Sequence, residues 1–367
     1  MSRDAGELVQ RLVREDIRRA PAYHVQDSRG LVRLDQMESP YGWTPELREA
    51  LFARLAAVEV NRYPDPRAGA TQQQIREAFG IPGRWSLMLG NGSDELIQIL
   101  MMAIAAPGGA VLAPGPTFVM FRNIAGWLGL PYHEVPLGPA FELDLAAMSS
   151  AIEAHRPRLV FLACPNNPTG NLFDKAALEG VLEAARDAVV VVDEAYWAFS
   201  SRDHLDWLDR HPNLLIMRTL SKLGLAGIRL GFLIGHPAWI DQLDKLRLPY
   251  NIGVLHQAAA EVALQHFDVL RGQTGKIAAE RARLAARLSG DARLHLWPGE
   301  ANFLLVRLLN GRARDVHAGM IRRGVLVKCL DGGHPRVAGC LRLGVGTVAE
   351  NALMLEALDS ALDECSA

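Results

Sequence analysis

The sequence predicts an α/β fold, with a large domain built on a mainly parallel sheet flanked by helices and a smaller α+β domain. Between residues 46 and 250, short runs rich in valine, leucine and isoleucine alternate with helical segments. These runs are apolar at consecutive positions, which indicates strands covered on both faces of a parallel sheet. After Pro249 a long helical region precedes several strands, a pattern typical of a separate α+β domain.

Strands are predicted in the larger domain wherever such an apolar run occurs between helical segments. They are AVLAP at 110–114, RLVFLAC at 158–164, AVVVVDE at 188–194, LLIMRTL at 214–220 and GFLIG at 231–235. The later part is predicted to contain a helical region at 255–288 broken near Phe267, the strands ANFLLVR, GVLVK and CLRLGVG, and a last helix from Ala349. A chain of 367 residues exceeds one typical core. We therefore expect a large domain at 46–250 and a small domain formed by 1–45, with an N-terminal arm, and by 251–367.

The composition is that of an ordinary globular enzyme and favours no macromolecular partner. Apolar residues make up 49% and charged residues 22%, and the net charge is −2, so we expect neither nucleic acid nor a membrane surface as partner. The N-terminal stretch mixes acids and bases without an apolar core, and no apolar run reaches transmembrane length. The cysteines lack CxxC spacing, which disfavours a disulfide framework and a zinc site and fits the reducing cytoplasm.

The segment RTLSKLGLAGIRLGF, 218–232, is the most informative part of the chain. It places Lys222 at a predicted strand end, directly after Ser221 and shortly before Arg229. A lysine that forms a Schiff base needs a fixed support and neighbours that lower its pKa. Pyridoxal 5'-phosphate has the required aldehyde and a dianionic phosphate, which a hydroxyl and a guanidinium can bind. The alternative for this segment alone is a surface lysine before a glycine-rich loop.

Two further strand ends bear polar residues that suit the same cofactor. Asp193 follows four valines, and a buried carboxylate is costly unless a cation such as a protonated pyridine nitrogen accompanies it. The alternative is a structural Asp that pairs with an arginine or caps a helix. Tyr196, and Asn167 in the turn PNNPTG, could each donate to the phenolate oxygen of the cofactor. Since ligands bind beyond the carboxyl ends of parallel strands, we expect Asn167, Asp193 and Lys222 to meet there.

The segment GNGSDE, 90–95, is a glycine turn that opens a helix, with Ser93 as the expected N-cap. Free N–H groups at a helix start suit a phosphate, so we expect Gly92, Ser93 and the backbone of Asp94 to bind it. The alternative for this segment alone is a helix cap without a ligand. A GxGxxG pattern is absent, which disfavours a dinucleotide. Phe118 could stack on the cofactor ring, although core packing is the alternative.

Two more positions stand out by their surroundings. Arg342 interrupts an apolar strand, and a buried guanidinium there is costly unless an anion such as a substrate carboxylate or phosphate accompanies it. Lys328 could join it, and the alternative is an arginine that faces outward. Tyr63, in NRYPDP, is predicted to be an exposed aromatic that meets a neighbouring subunit.

Together, SKLGLAGIRLGF, VVDEAY, PNNPTG, GNGSDE and RYPDP resemble class II pyridoxal-phosphate-dependent aminotransferases of the aspartate-aminotransferase fold. LDQMESPYG, 34–42, is similar to the NENPYG-type segment of the histidinol-phosphate aminotransferase branch, and the resemblance extends from about Tyr23 to the last helix. It implies that the large domain binds the cofactor, that Lys222 is the Schiff-base lysine and moves protons, and that Arg342 binds the substrate anion. It also implies a homodimer in which Tyr63 and Tyr23 serve the partner's site.

The resemblance implies transamination between L-histidinol phosphate and 2-oxoglutarate, so the expected partners are a small-molecule amino donor and a 2-oxo acid. Lys328 departs from the arginine of many members, and Met37 and Ser39 replace asparagines of the NENPYG-type segment, which bears on substrate preference. The alternatives are an aromatic amino-acid aminotransferase and a threonine-phosphate decarboxylase. A transcription regulator is disfavoured, because the stretch before LDQMESPYG is too short for a DNA-binding domain.

Overall fold

The computed structural model describes residues 4–22, 26–104, 108–309 and 312–366. Its strands are β1 (Val32–Arg33), β2 (Ser86–Asn91), β3 (Val111–Gly115), β4 (Tyr132–Pro136), β5 (Leu159–Ala163), β6 (Val189–Asp193), β7 (Leu214–Thr219), β8 (Leu230–Gly235), β9 (Leu294–Trp297), β10 (Phe303–Leu308), β11 (Val325–Leu326), β12 (Lys328–Cys329) and β13 (Cys340–Gly344). Its helices are α1 (Ala5–Leu12), α2 (Glu15–Arg19), α3 (Pro45–Ala56), α4 (Gly69–Phe79), α5 (Ser93–Ile104), α6 (Val119–Trp127), α7 (Leu145–His155), α8 (Lys175–Ala184), α9 (Pro237–Leu243), α10 (Val254–Gln265), α11 (Phe267–Leu288), α12 (Ala313–Arg322) and α13 (Val348–Ser366).

A seven-stranded sheet in the order β2-β8-β7-β6-β5-β3-β4 organises the larger part of the molecule. The strands from β7 to β4 are parallel, whereas β8 is antiparallel to both of its neighbours. The predicted mainly parallel sheet is therefore confirmed. The sequence missed β4, because this edge strand has only half-buried side chains over Tyr132–Glu134 and lacks a continuous apolar run.

The central strands are covered on both faces, since every residue of β5, β6 and β7 is buried. Successive side chains alternate between two apolar clusters. The first cluster, which includes Val190 and Val192, is closed by α4, α7 and α8. The second, which includes Val189 and Val191, is closed by α5, α6 and α9. This arrangement explains why the runs are apolar at consecutive positions.

Side-chain caps fix where several of these covering helices begin. Asp174 accepts a hydrogen bond from the backbone N–H of Ala177 and so caps α8. Asp144 caps α7 in the same way. Thr44 caps α3, whose first residue is a proline, as is common at that position.

The C-terminal part forms a second sheet, β12-β13-β10-β9, which is antiparallel throughout. Its apolar cluster includes residues of α11, α12 and α13. The chain between α10 and α11 breaks at His266, close to the predicted break. The predicted strand GVLVK is divided in two, because β11 pairs with β1 while β12 pairs with β13.

The N-terminal arm is joined to the C-terminal part through its backbone. β1 lies parallel to β11, and the N–H of Gly344 donates to the carbonyl of Leu34. Helices α1 and α2 have no buried residue, and Arg14 donates to the carbonyl of Trp127 on the other part of the molecule. The division into domains at 46–250 and at 1–45 with 251–367 stays a prediction. Within the described ranges, no helix is long and apolar enough to cross a membrane.

Candidate active site

Lys222 lies in a single 3₁₀ turn, Ser221–Leu223, directly after β7. Gly224 follows with a φ of 90°, a left-handed conformation that favours glycine. The lysine Nζ donates to the backbone oxygen of Gln36 at 3.0 Å, so the N-terminal arm contacts the lysine directly. Burial and the neighbouring Arg342 guanidinium lower the pKa of Lys222 to about 8. The lysine is thus deprotonated more easily than an exposed lysine, and the neutral amine is the nucleophilic form.

Asp193 is the last residue of β6 and its side chain is buried. One carboxylate oxygen accepts the backbone N–H of Ala195 at 3.0 Å. Burial raises the pKa of Asp193 to about 7, and the carboxylates of Asp94 and Glu194 act in the same direction. One predicted alternative was an arginine that pairs with Asp193. In the structure an arginine, Arg218, pairs with the adjacent acid Glu194 instead. A buried carboxylate with a raised pKa gains from a nearby cation, and a protonated ring nitrogen is one.

Tyr196 and Asn167 lie close to Lys222 and Arg342. The Nζ of Lys222 is 5.8 Å from the ring centroid of Tyr196, which is buried edge-on against Phe303. Burial raises the pKa of Tyr196, so its hydroxyl stays protonated and can donate a hydrogen bond. Asn167 accepts from Arg342 at 2.5 Å through its side-chain oxygen, which is compatible with donation by its amide nitrogen. Of the two donors predicted for a phenolate oxygen, Tyr196 thus lies near the lysine and Asn167 contacts Arg342.

The glycine turn before α5 approaches β8 closely. The helix begins at Ser93 itself, so the prediction that Ser93 is the N-cap was wrong by one residue. A Cβ on Gly92, which has a φ of 79°, would lie 2.5 Å from the Nη2 atom of Arg229. A Cβ on Gly231 would lie 2.8 Å from the backbone nitrogen of Ser93. The two glycines therefore let Arg229 and the helix N-terminus come together, where backbone N–H groups favour an anion.

The side chains around this turn include both donors and a carboxylate. Ser221 shares a hydrogen bond of 3.0 Å with Thr219, and its backbone N–H donates to the same threonine. The Nη2 atom of Arg229 is 3.4 Å from a carboxylate oxygen of Asp94. Burial raises the pKa of Asp94, although Arg229 and Lys222 act against this rise. A guanidinium, two serine hydroxyls and a helix N-terminus form a donor set that fits a dianionic phosphate.

Arg342 lies on β13 and is buried, so the predicted inward orientation agrees with the structure. It donates to the side-chain oxygen of Asn167 and to the backbone oxygen of Asp35 at 2.8 Å. Its guanidinium carbon lies 5.4 Å from the ring centroid of Phe303. Lys328 is the cross-strand partner of Arg342 in the sheet and is exposed. The two cations therefore sit side by side at the edge of the site.

The three predicted aromatic positions differ in what surrounds them. Phe118 precedes α6 and packs edge-on against Phe121 at 5.6 Å, in line with the core alternative, and its stacking on a cofactor stays a prediction. Tyr63 is 80% exposed and stacks on Tyr250 with 4.4 Å between ring centroids. Tyr23 lies outside the described residues.

Sequence reasoning missed two features of this site. The backbone of the arm at Gln36 contacts Lys222, and a backbone carbonyl leaves no signal in the sequence. Glu194 and Arg218 form a buried ion pair beside Asp193. That pair had a signal, because two opposite charges stand at the ends of two neighbouring strands that are otherwise apolar.

Comparisons with known proteins show which family this chain is similar to. The family model of aminotransferase class I and II matches residues 29–358. A relative named histidinol-phosphate aminotransferase 2, from Cupriavidus pinatubonensis, is 46% identical over 97% of this chain and 98% of its own. Another of that name, from Nitrosococcus oceani, is 47% identical over 94% and 96%. The crystal structure of histidinol-phosphate aminotransferase from Sinorhizobium meliloti in complex with pyridoxal-5'-phosphate has a TM-score of 0.82 and 25% identity, and covers 96% of this chain and 97% of its own.

Proposed function

Because the chain belongs to the class I and II aminotransferase family, we propose that it transfers amino groups between L-histidinol phosphate and 2-oxoglutarate with pyridoxal 5'-phosphate as cofactor. In histidine biosynthesis the reaction runs in the reverse direction, from glutamate to imidazole acetol phosphate. The names of relatives that are 46% and 47% identical over nearly the whole chain support this substrate pair. The observation on which the proposal rests is the placement of Lys222 and Asp193 at adjacent strand ends, beside a buried Arg342.

The residues of the site fit the cofactor at each of its ends. Lys222 would hold the aldehyde carbon, and Asp193 would hold the ring nitrogen. Ser93, Ser221 and Arg229, with backbone N–H groups from Gly92 onwards, would bind the phosphate, and Asn167, Tyr196 and Phe118 would contact the ring. When bound, pyridoxal phosphate supplies an aldehyde that condenses with amines and a ring that withdraws electrons from the substrate's α-carbon.

Lys222 would also act in proton transfer when the cofactor is bound. Its neutral Nζ atom would take the proton from the substrate's α-carbon and would give it to the former aldehyde carbon of the cofactor. Burial and Arg342 lower the pKa of Lys222 to about 8, so the amine can both take and give this proton near neutral pH. The bond to the carbonyl of Gln36 orients the Nζ atom when the lysine is free.

Asp193 and Tyr196 keep the proton distribution around the ring fixed. The buried carboxylate of Asp193 would hold a proton on the ring nitrogen, because loss of that proton would leave the buried carboxylate without a cationic partner. Tyr196 keeps its own proton, since burial raises its pKa, and it would donate to the ring oxygen. The two residues would thus keep a bound ring electron-poor.

Arg342 would bind the anionic group of each substrate. The two anionic groups differ in structure. Glutamate presents a carboxylate, and histidinol phosphate presents a phosphate at the end of a longer chain. Lys328, beside Arg342 on the next strand, adds a point charge where a second arginine would add a bidentate contact. We propose that Lys328 contacts the phosphate end.

We also propose a cytoplasmic homodimer. Tyr63 stacks on Tyr250, and large apolar side chains close to either residue in the sequence are exposed. The exposed residues are Phe52, Val60, Leu248, Tyr250 and Leu255. Such exposure supports a protein interface. Tyr63 would then reach the phosphate of the partner's site, and Tyr23 its substrate. The cysteines at 164, 329, 340 and 365 are free thiols, the state that a reducing compartment maintains.

A panel of amino donors tests the proposal, with 2-oxoglutarate as acceptor and glutamate formation as the readout. We expect L-histidinol phosphate to be preferred over histidinol by on the order of a hundredfold in kcat/KM, because charge-assisted contacts to the phosphate are lost. Borohydride treatment should attach the cofactor to the peptide containing Lys222. A preference for phenylalanine would indicate an aromatic aminotransferase, and carbon dioxide release from O-phosphothreonine would indicate a decarboxylase.

A further inference from the structure

A buried ion pair lies directly behind the candidate active site. The Nε atom of Arg218 donates to a carboxylate oxygen of Glu194 at 2.7 Å, and both side chains are only 1% exposed. Neither residue has a role among the groups that would contact cofactor or substrate. The presence of a fully buried ion pair requires an explanation, because the free-energy cost of desolvating two charges offsets most of their mutual attraction.

Further groups fix the pair from two sides. The second carboxylate oxygen of Glu194 accepts the backbone N–H and the Nδ1 atom of His204, both at 2.8 Å. The guanidinium of Arg218 lies 4.6 Å from the ring centroid of Trp197 and 3.2 Å from a carboxylate oxygen of Asp203. The indole nitrogen of Trp197 donates to that same carboxylate at 3.0 Å. The pair is thus held in one geometry.

The pair joins the ends of the two strands on which the chemistry depends. In the sheet Asp193 is opposite Met217, so Glu194 and Arg218 are the next residues along β6 and β7. Successive residues of a strand face opposite sides. The pair therefore lies against the first apolar cluster, with Val192 and Ile216, while Asp193 lies on the other side.

Beyond the pair, each strand end continues into a residue of the site. The N–H of Trp197 donates to the carbonyl of Glu194 at 2.9 Å, which closes the turn that bears Tyr196. Arg218 is followed by Thr219 and Leu220 and then by the 3₁₀ turn of Lys222. A shift of one strand end relative to the other would change the distance between the carboxylate and the amine, which must contact opposite ends of one rigid ring.

We infer that Glu194 and Arg218 are positioning residues, whose ion pair fixes the end of β6 relative to the end of β7. The inference rests on the proposed function, since it assigns the pair to the spacing of Asp193 and Lys222 about a bound cofactor. A misplacement of about 1 Å at a catalytic group costs on the order of a hundredfold in rate. A pair that only stabilised the fold would be replaceable by apolar side chains of similar volume.

The experiment replaces both charges at once, as Glu194→Met with Arg218→Met, and measures cofactor binding as well as turnover. We expect the cofactor-free double variant to keep its far-ultraviolet circular dichroism and its urea midpoint. We expect its dissociation constant for pyridoxal phosphate, measured by absorbance titration, to rise about tenfold or more, and kcat to fall on the order of a hundredfold. The matched control replaces Arg84 and Asp209 by methionine, an exposed ion pair with contacts of 2.7 and 2.9 Å.

Arg218→Lys serves if the double variant does not fold. Lysine keeps the charge but loses the planar guanidinium, so cofactor affinity and kcat should fall below those of the wild type while KM for the amino donor changes little. Cofactor affinity and kcat equal to wild type in either folded variant would overturn the inference. Losses as large in the control pair would overturn it too. A wild-type chain that binds no pyridoxal phosphate would instead contradict the proposed function.

Discussion

The Nζ atom of Lys222 donates a hydrogen bond of 3.0 Å to the backbone oxygen of Gln36. The N-terminal arm thus contacts the lysine that we propose binds the cofactor, although Gln36 and Lys222 are far apart in the chain. The arm reaches this position because β1 pairs with β11 and because the N–H of Gly344 donates to the carbonyl of Leu34. The carbonyl of Gln36 stabilises the protonated form of the Lys222 amine, whereas burial destabilises that form.

The first prediction concerns the pH at which the cofactor-free protein captures pyridoxal phosphate. The amine must be neutral to react, and burial with Arg342 lowers the pKa of Lys222 to about 8, while Glu38 and Asp94 raise it and Arg229 lowers it further. The capture rate should therefore rise about tenfold per pH unit below pH 8 and level off above it. Stopped-flow absorbance between pH 6 and 10 measures this rate. A rise that continues to pH 10 would show an ordinary lysine.

Replacement of Arg342 provides the matched variant for that measurement. Arg342→Met removes the cation that contributes most to the lowered pKa after burial, so the midpoint for Lys222 should move to higher pH. Arg122→Met, at an exposed arginine that pairs with Glu134, should leave the midpoint unchanged. An unchanged midpoint in Arg342→Met would mean that the two cations do not interact.

The second prediction separates cofactor binding from catalysis at Asp193. Asp193→Asn should still bind pyridoxal phosphate, because the phosphate contacts remain, but it should lose roughly three orders of magnitude or more in kcat, since an amide cannot keep the ring nitrogen protonated. Single-turnover absorbance with glutamate measures the rate. Asp206→Asn, an exposed acid, is the control. A near-wild-type rate in Asp193→Asn would remove the residue from this role.

The third prediction tests the close approach at the proposed phosphate turn. In Gly231→Ala the added methyl group would lie 2.8 Å from the backbone nitrogen of Ser93, so β8 and the helix start must separate. We expect weaker cofactor binding and a free energy of unfolding lower by about 1–3 kcal/mol. Gly227→Ala, in the same segment, meets no atom within 4 Å and should be nearly neutral. Equal cofactor dissociation constants for the two variants would contradict the phosphate assignment.

The fourth prediction distinguishes the two neighbouring cations. Arg342→Ala should slow both half-reactions, because under the proposed function glutamate and histidinol phosphate would use the same guanidinium. Lys328→Ala should reduce kcat/KM for histidinol phosphate by roughly tenfold to a hundredfold and affect glutamate less, since one charge-assisted contact is worth about 1.5–3 kcal/mol. Steady-state kinetics with each amino donor measures the difference. Equal losses for both donors in Lys328→Ala would place the lysine outside the phosphate pocket.

The fifth prediction concerns the proposed homodimer. If Tyr63 acts in the partner's site, mixing an inactive Lys222→Ala chain with an inactive Tyr63→Ala chain should restore part of the activity, because a hybrid dimer has one intact site. Activity after unfolding and refolding the mixture measures this complementation. Tyr250→Phe, which keeps the stacked ring beside Tyr63, is the control. A fully active monomer in sedimentation would exclude the arrangement.

The sequence predicted the positions that combine a polar side chain with an apolar strand. Asp193, Lys222 and Arg342 stand out for this reason, and the structure places all three in one region. The sequence did not predict β4, because an edge strand need not be apolar. It misplaced the start of α5 by one residue, because Gly92 and Ser93 both suit a helix start. Contacts of the backbone, such as that of Gln36, depend on how distant segments pack and have no residue pattern.

The direction of β8 accounts for how compact the segment from Arg218 to Phe232 is. β8 is antiparallel to β7, with Thr219 opposite Gly231, so the chain leaves β7 and returns along its neighbour through a short connection. Arg229, directly before β8, therefore lies at the same end of the sheet as Lys222, which follows the end of β7. A parallel strand would place Arg229 at the far edge and would need a crossover of roughly a dozen residues or more. One reversed strand thus brings Lys222 and Arg229, the residues proposed to bind the two ends of the cofactor, into a single hairpin. For this reason both residues occur within one short segment of the sequence.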